Sequence, residues 1–265
     1  MASLLAVFFI GAASATVRVV SLNLCTDSML FELADHQQIA SVSYLSRDSN
    51  LSPHARRAAA LPVNYGGIEE ILLSRPDLVI TGSNTSLYSA ALARDRGLQV
   101  AIFDPASTLE GYWKNLQRLA DLLGHRERAS NLIKAMQTRL QALPEPDTNH
   151  PRHVLIYLPN GYSPGRGTLP DDLIRLSHGH NAAETSFPGQ HTISLEALLI
   201  TQTLDLIVFA SHQSPTASLA RQHLEHPAFG AMPRVKRLEV LQQTMTCGGA
   251  VNLIAIEAIN AALRQ

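Results

Sequence analysis

The chain of 265 residues is short of most features that mark a specialised surface. Its Lys and Arg are not clustered and its formal net charge is −1, so it offers no basic face of the kind nucleic acid requires. Aromatic residues are 5% of the chain, too few for extended base stacking. The Gly-rich segment 160–168 lacks the Lys-Ser/Thr ending of a phosphate loop, which argues against nucleotide binding. There is no G-x-S-x-G elbow and no spaced carboxylate pair with a His base, which argues against a hydrolase or chelatase. Cysteine occurs only as Cys25 and Cys247, which allow a single bridge within the molecule. Two buried thiols fit the sequence as well. A catalytic Cys25 would need a positioned base, and no His lies near it in sequence.

What is present begins with residues 1–15, an apolar run over 4–10 followed by Ala13-Ser14-Ala15. That run is too short to span a bilayer, which takes about 20 residues. It reads as a signal peptide with an A-x-A cleavage site, although no Lys or Arg precedes it. The expected mature chain starts near Thr16 in an oxidising periplasm. No Cys follows the small residues directly, so a lipid anchor at that point is not indicated.

The stretch 107–146 organises the remainder. Ser107-Thr108-Leu109-Glu110 has the form of a capping box. Leu109, Trp113, Leu116, Ala120 and Leu123 then share one helical face, and Gly124 ends the helix. A second stripe, Ala129, Leu132, Ile133, Met136, Leu140 and Leu143, predicts a helix over 125–143, roughly 28 Å long. Such a helix can join two lobes, or both can be ordinary surface helices of one α/β domain.

Either side of it, strands alternate with helices, as in a parallel sheet covered on both faces. Strands are expected at 18–22, 39–44, 78–82 and 99–103, then at 153–158, 204–208 and 238–241. Segment 46–62 reads as loop with a helical turn, and 178–190 as polar loop. Ile68-Glu69-Glu70-Ile71 leading to Asp77-Leu78-Val79-Ile80 is echoed by Leu195-Glu196-Ala197-Leu198 leading to Asp205-Leu206-Ile207-Val208, with one extra residue between. The fold class read from this is α/β: two similar parallel-sheet lobes, 16–124 and 144–265, joined by the helix at 125–143, with a ligand cleft between them. Ligands of open α/β sheets bind at the carboxyl ends of the strands. That places Asn23, Tyr44, Asn84 and Asp104 of the first lobe on the rim, with Tyr162, Arg166, His212 and the loop 244–248 of the second. Arg166 sits among glycines, as an anion contact or as a solvated loop residue.

The opening Arg18-Val19-Val20-Ser21-Leu22, the Glu-helix before Pro76-Asp77-Leu78-Val79-Ile80, Gly165-Arg166-Gly167-Thr168 and the second Glu-helix carry a resemblance. The chain resembles the periplasmic substrate-binding proteins of ABC importers for vitamin B12 and ferric siderophores. That resemblance implies a single rigid interlobe helix and a non-enzymatic monomer that holds no cofactor of its own. It implies a bulky metal chelate as ligand: a ferric siderophore, haem or a cobalamin-type corrinoid. It also implies a permease dimer with its ATPase subunits as partner, met through one exposed Glu on each lobe, here Glu69 and Glu196. Read without it, a Glu in a first helical turn needs no partner, since the helix dipole already favours it there.

Eleven His residues raise a rival, a free zinc or manganese carrier. His178, His180 and His191 share one loop region and His212 follows a strand end. The first lobe offers no His at an expected strand end, which counts against an interlobe metal site.

Overall fold

The computed structural model describes residues 16–145, 150–187, 192–201, 203–211 and 223–265. The expected export segment 1–15, together with His191 and His212, therefore lies outside the described residues. Five strands form the first sheet: β1 (Val19–Ser21), β2 (Ile39–Ser43), β3 (Val63–Asn64), β4 (Leu78–Gly82) and β5 (Gln99–Phe103). Their order is β3-β2-β1-β4-β5. The second sheet holds β6 (His153–Tyr157), β7 (His180–Asn181), β8 (Leu206–Ser211) and β9 (Lys236–Leu241), ordered β7-β6-β8-β9. Every pairing in both sheets is parallel. Strand β7 falls inside a segment expected to be loop, and β3 directly after another; they are two residues each, too short for any alternation to show.

The crossover helices are α1 (Leu24–Leu33), α2 (Ala55–Ala58), α3 (Ile68–Leu73) and α4 (Leu87–Asp95) in the first half. Then come α5 (Leu109–Leu123) and α6 (Arg126–Gln141), followed by α7 (Leu169–Leu176), α8 (Ala182–Thr185) and α9 (Leu195–Ile200). The short helix Gln243–Thr246 lies within the expected loop after β9, and Asn252–Arg264 closes the chain. Helix α5 starts one residue later than the capping box predicts. Thr108 Oγ1 accepts from the Gly111 N–H at 3.0 Å, and Glu110 is left to pair with Lys114 at the surface. Gly124 ends α5 at φ 78°, where a side chain would be strained.

The repeat seen in the sequence is carried by matching hydrogen bonds. Asp77 Oδ2 accepts from the Arg18 N–H at 2.8 Å, and Asp205 Oδ2 accepts from the His153 N–H at 2.7 Å. Each Asp thus ties the start of its strand to the neighbouring one. The Ser74 and Thr201 hydroxyls, at equivalent places after α3 and α9, donate to the carbonyls four residues back, at 2.9 and 2.8 Å.

Alternation along the strands shows how the lobes are joined. Val19, Leu78, Ile80, Val154, Ile156, Leu206 and Val208 all belong to one apolar cluster with α1, α5, α6, α7 and the terminal helix. The intervening residues face outward, Val20 and Val79 into one cluster, and Leu155, Tyr157, Ile207 and Phe209 into another. The two sheets are therefore not held apart by a lone rod, because their inner faces share a helical layer. Helix α6 does run from lobe to lobe. At its start Arg128 donates to the Leu33 carbonyl and to Asp35, and His125 meets Gln38 at 2.6 Å. At its end Arg139 grips both oxygens of Glu257 at 2.7 and 2.8 Å. Its 16 residues span roughly 24 Å.

Candidate functional site: the interlobe cleft

Each strand of the first sheet delivers a polar or aromatic residue to its carboxyl edge. In sheet order these are Tyr65 after β3, Tyr44 after β2, Asn23 after β1, Asn84 after β4 and Asp104 after β5. Tyr44 and Tyr65 stack with ring centroids 4.8 Å apart and planes 20° apart, yet they are 46% and 72% exposed. Two large rings left open to solvent at a strand edge form a ready surface for a flat ligand. Their supports are buried. Asn64 Nδ2 donates to the Ser21 carbonyl and to Ser41 Oγ, both at 2.9 Å, and fixes the backbone just before Tyr65. Asp27 Oδ2 accepts from the Ser43 N–H at 3.1 Å and from the Ser46 hydroxyl at 2.7 Å, clamping both ends of the turn that carries Tyr44.

Asn23 is committed to structure. Its Oδ1 accepts from the N–H groups of Cys25 and Thr26 at 2.9 and 3.3 Å, capping α1, and its Nδ2 donates to Thr85 Oγ1 at 3.0 Å. Asn23 and Asn84 are brought together in a cavity of about 110 Å³, with Thr85, Asp104, Tyr112 and the segment Thr246-Cys247-Gly248 from the second lobe. That volume is well below the ~300–1,000 Å³ of drug-sized pockets. The cavity is therefore the floor of the cleft, and a bulky ligand would rest on the rim above it.

The floor is locked across the lobes. Cys25 at the start of α1 is bonded to Cys247, 222 residues on. Gly248 lies flat against Tyr112, where an added Cβ would sit 2.6 Å from the ring. Glu32 accepts from the Tyr112 hydroxyl and from the Ala250 N–H, the latter at 2.9 Å. On the far side, the Leu109 N–H donates to Asp172 Oδ2 at 2.9 Å. Burial holds the Glu32 carboxyl above its ordinary range against the pull of its two donors. The same cause pushes Asp27 from 3.8 up to about 7, and among the described residues its Oδ1 has no hydrogen-bond partner.

On the second lobe Tyr162 is 44% exposed and is anchored by its own backbone, which bridges to Thr192 and accepts from the Leu158 N–H. Arg166 is exposed, but its guanidinium already meets Glu184 at 3.4 Å while its N–H donates to the same carboxylate at 2.6 Å. Glu69 and Glu196 both stand exposed in the first turns of α3 and α9. The neighbouring Glu70 turns back to accept from the Tyr65 and Gly67 N–H groups, so the two adjacent glutamates have separate tasks. His178 sits in a turn and His180 on β7 beside His153. Among the described residues no group of His, Cys, Asp and Glu is placed to hold a metal ion.

Sequence reasoning missed Tyr65, Glu32 and Tyr112. Tyr65 was detectable in principle, as an aromatic directly before Gly66-Gly67. Glu32 and Tyr112 meet only through the fold.

The same two-sheet architecture occurs in solved haem-binding proteins. The periplasmic haem-binding protein HutB of Vibrio cholerae superposes with a TM-score of 0.75 at 20% identity, covering 95% of this chain and 100% of that one. RhuT of Roseiflexus sp. RS-1, solved in apo form, gives 0.72 at 22% over 94% and 98%. A periplasmic haem-binding protein from Pseudomonas aeruginosa gives 0.70 at 21% over 93% and 92%. YvrC of Bacillus subtilis, named as an uncharacterized ABC transporter substrate-binding lipoprotein, is 23% identical over 126 residues, 44% of this chain and 40% of that one. The chain thus matches less than half the length of that relative. The family model for periplasmic binding proteins matches residues 19–242, most of the chain, and the chain belongs to that family.

Proposed function

We propose that this chain is an exported receptor that captures a bulky metal chelate between its lobes and hands it to an ABC importer in the inner membrane. In this reading residues 1–15 are the export signal, 16–124 and 144–265 are the two lobes, and 125–143 is the connection between them. Glu69 and Glu196 meet a permease dimer with its ATPase subunits, and the receptor works as a non-enzymatic monomer. The observation that carries the reading is the exposed Tyr44–Tyr65 stack on the carboxyl edge of the first sheet, the same edge whose β1, β4 and β5 ends line the interlobe cavity. A ring face suits a flat conjugated ligand, and a phenol oxygen is one of the groups by which proteins hold haem iron. Haem is therefore the first candidate, ahead of a ferric siderophore or a corrinoid.

Titration of the purified chain with haemin, a ferric siderophore and cyanocobalamin, followed by absorbance and calorimetry, tests this. Haemin should bind with a Kd in the micromolar range or tighter, about −8 kcal/mol. Tyr65→Phe should keep the ring contact but alter the haem spectrum, and Tyr65→Ala should lose both. Silence with all three ligands would refute the receptor reading.

A further inference from the structure

The receptor reading gives Glu69 and Glu196 a task, but it leaves the exposed aliphatic residue one turn beyond each of them without one. Aligned on those glutamates, α3 reads Ile68-Glu69-Glu70-Ile71-Leu72-Leu73 and α9 reads Leu195-Glu196-Ala197-Leu198-Leu199-Ile200. The inward positions are filled alike, with Ile71 and Leu198 at 0% and 1% exposure. Four residues after each Glu, on the same helical face, stands a large aliphatic. Leu73 is 82% exposed and Ile200 is 80% exposed. Neither is needed to cover the core, yet the same chemistry recurs at the same place in both halves. Scattered exposed aliphatics are ordinary; a matched pair, each beside an exposed carboxylate, is a repeated epitope.

We propose that Leu73 and Ile200 are the apolar halves of two equivalent docking epitopes. Each epitope is a Glu with an aliphatic side chain one turn on, and the two seat on paired permease surfaces that bear a basic residue beside an apolar pocket. The proposal rests on the receptor reading. Two copies of one epitope, held by the duplicated Asp77 and Asp205 frameworks, fit a partner with two copies of one receiving surface, as a permease dimer has. A second copy of this chain is the wrong occupant, because like epitopes would set Glu against Glu. The two components would divide the work. The carboxylates steer and orient the encounter, and the desolvated aliphatics set how long it lasts.

The test is binding of the full chain to its own permease–ATPase complex in lipid nanodiscs, by surface plasmon resonance at several salt concentrations. Leu73→Asn and Ile200→Asn should each weaken docking about tenfold, through faster dissociation, with the salt dependence of the wild type retained. Glu69→Gln and Glu196→Gln should instead slow association and flatten the salt dependence. Equal binding by wild type, Leu73→Asn and Ile200→Asn, with the Glu variants impaired, would overturn this proposal and leave the receptor reading standing. No binding by the wild type would overturn the docking reading and this proposal with it. Melting curves control for folding. Should an Asn variant melt early, Leu73→Ala and Ile200→Ala must give the same ordering, or the proposal fails. Sedimentation showing a dimer that Leu73→Asn dissolves would also overturn it.

Discussion

Asp27 offers a stability test with a defined sign. Its carboxyl is fully buried, and burial raises it from 3.8 to about 7. A group whose folded pKa is raised contributes stability that is complete below the unfolded value and is lost as pH rises through the folded one. For Asp27 that window runs from about 4 to about 7. At 1.36 kcal/mol per pH unit, the gap amounts to about 4 kcal/mol as an upper bound. His54 works against it, since burial, with the charge of Arg57, lowers it from 6.5 to about 4. A His held neutral adds stability as pH rises over nearly the same interval, so the two contributions partly cancel in the wild-type profile. The difference between wild type and Asp27→Asn isolates the carboxyl. Asn keeps the shape, and its Oδ1 can accept from Ser43 and Ser46. Urea unfolding from pH 4 to pH 8 should show the variant gaining about 3–4 kcal/mol on the wild type between the ends of that range. Glu32, also raised by burial, shifts both proteins equally and drops out of the difference. A flat difference curve would mean that the Asp27 carboxylate is stabilised by contacts the geometry does not contain.

Two further outcomes concern the floor of the cleft. Cys25→Ser with Cys247→Ser opens a covalent loop closed over 222 residues, worth about 5 kcal/mol by chain entropy and nearer 2–4 in practice. The urea midpoint should fall accordingly, and an unchanged midpoint would show that the bond constrains nothing in the unfolded chain. Gly248→Ala puts a methyl group 2.6 Å from the Tyr112 ring, so the ring must move at a cost of about 1–3 kcal/mol. A drop of several degrees in Tm is expected, and an unchanged Tm would show that the ring has room to move aside.

How much of this was legible in the sequence depends on where each residue finds its partner. The Glu-helix followed by Asp-Leu could be read twice because its bonds are framework bonds. Asp77 and Asp205 reach only to the start of the next strand, a distance the parallel sheet itself fixes. Cys25 and Cys247 had only each other as partners, but their contact depends on α1 meeting the chain that leads into the terminal helix, which no local pattern encodes. Asn23 stood at a strand end and read as a ligand contact; two residues ahead of Cys25 it was equally an N-cap, and the cap takes its oxygen. Arg166 read equally as an anion contact or as a solvated loop residue, and the contact it makes with Glu184, eighteen residues on, is one that no local pattern announces. Tyr65 was hidden because a two-residue strand carries no period. Leu73 and Ile200 were visible all along: Ile-Glu-Glu-Ile-Leu-Leu holds more aliphatics than one face of a six-residue helix can bury.

The ties between the lobes decide where such a receptor can move. Cys25–Cys247, Glu32 with Ala250, and Leu109 with Asp172 cross from one half to the other, and Arg139 ties the connecting helix α6 to Glu257 of the second. Between them lies a single apolar cluster shared by both sheets. A wide hinge rotation would have to break that packing, whose interlocked side chains resist gradual deformation. Adjustment to a ligand therefore falls to the carboxyl-edge loops. There Tyr44 and Tyr65 are exposed, although the carboxylate and the amide that hold them, Asp27 and Asn64, are buried. A rim that yields on a floor that does not would let α3 and α9, the helices proposed to dock, keep the same spacing whether or not the cleft is filled. The importer would then have to sense the ligand through the rim itself, and not through the distance between Glu69 and Glu196. Spin labels on Glu69→Cys and Glu196→Cys, placed in the wild-type disulfide background, should report that distance unchanged to within about 2 Å on haemin binding. A larger shift would show that the shared core slides.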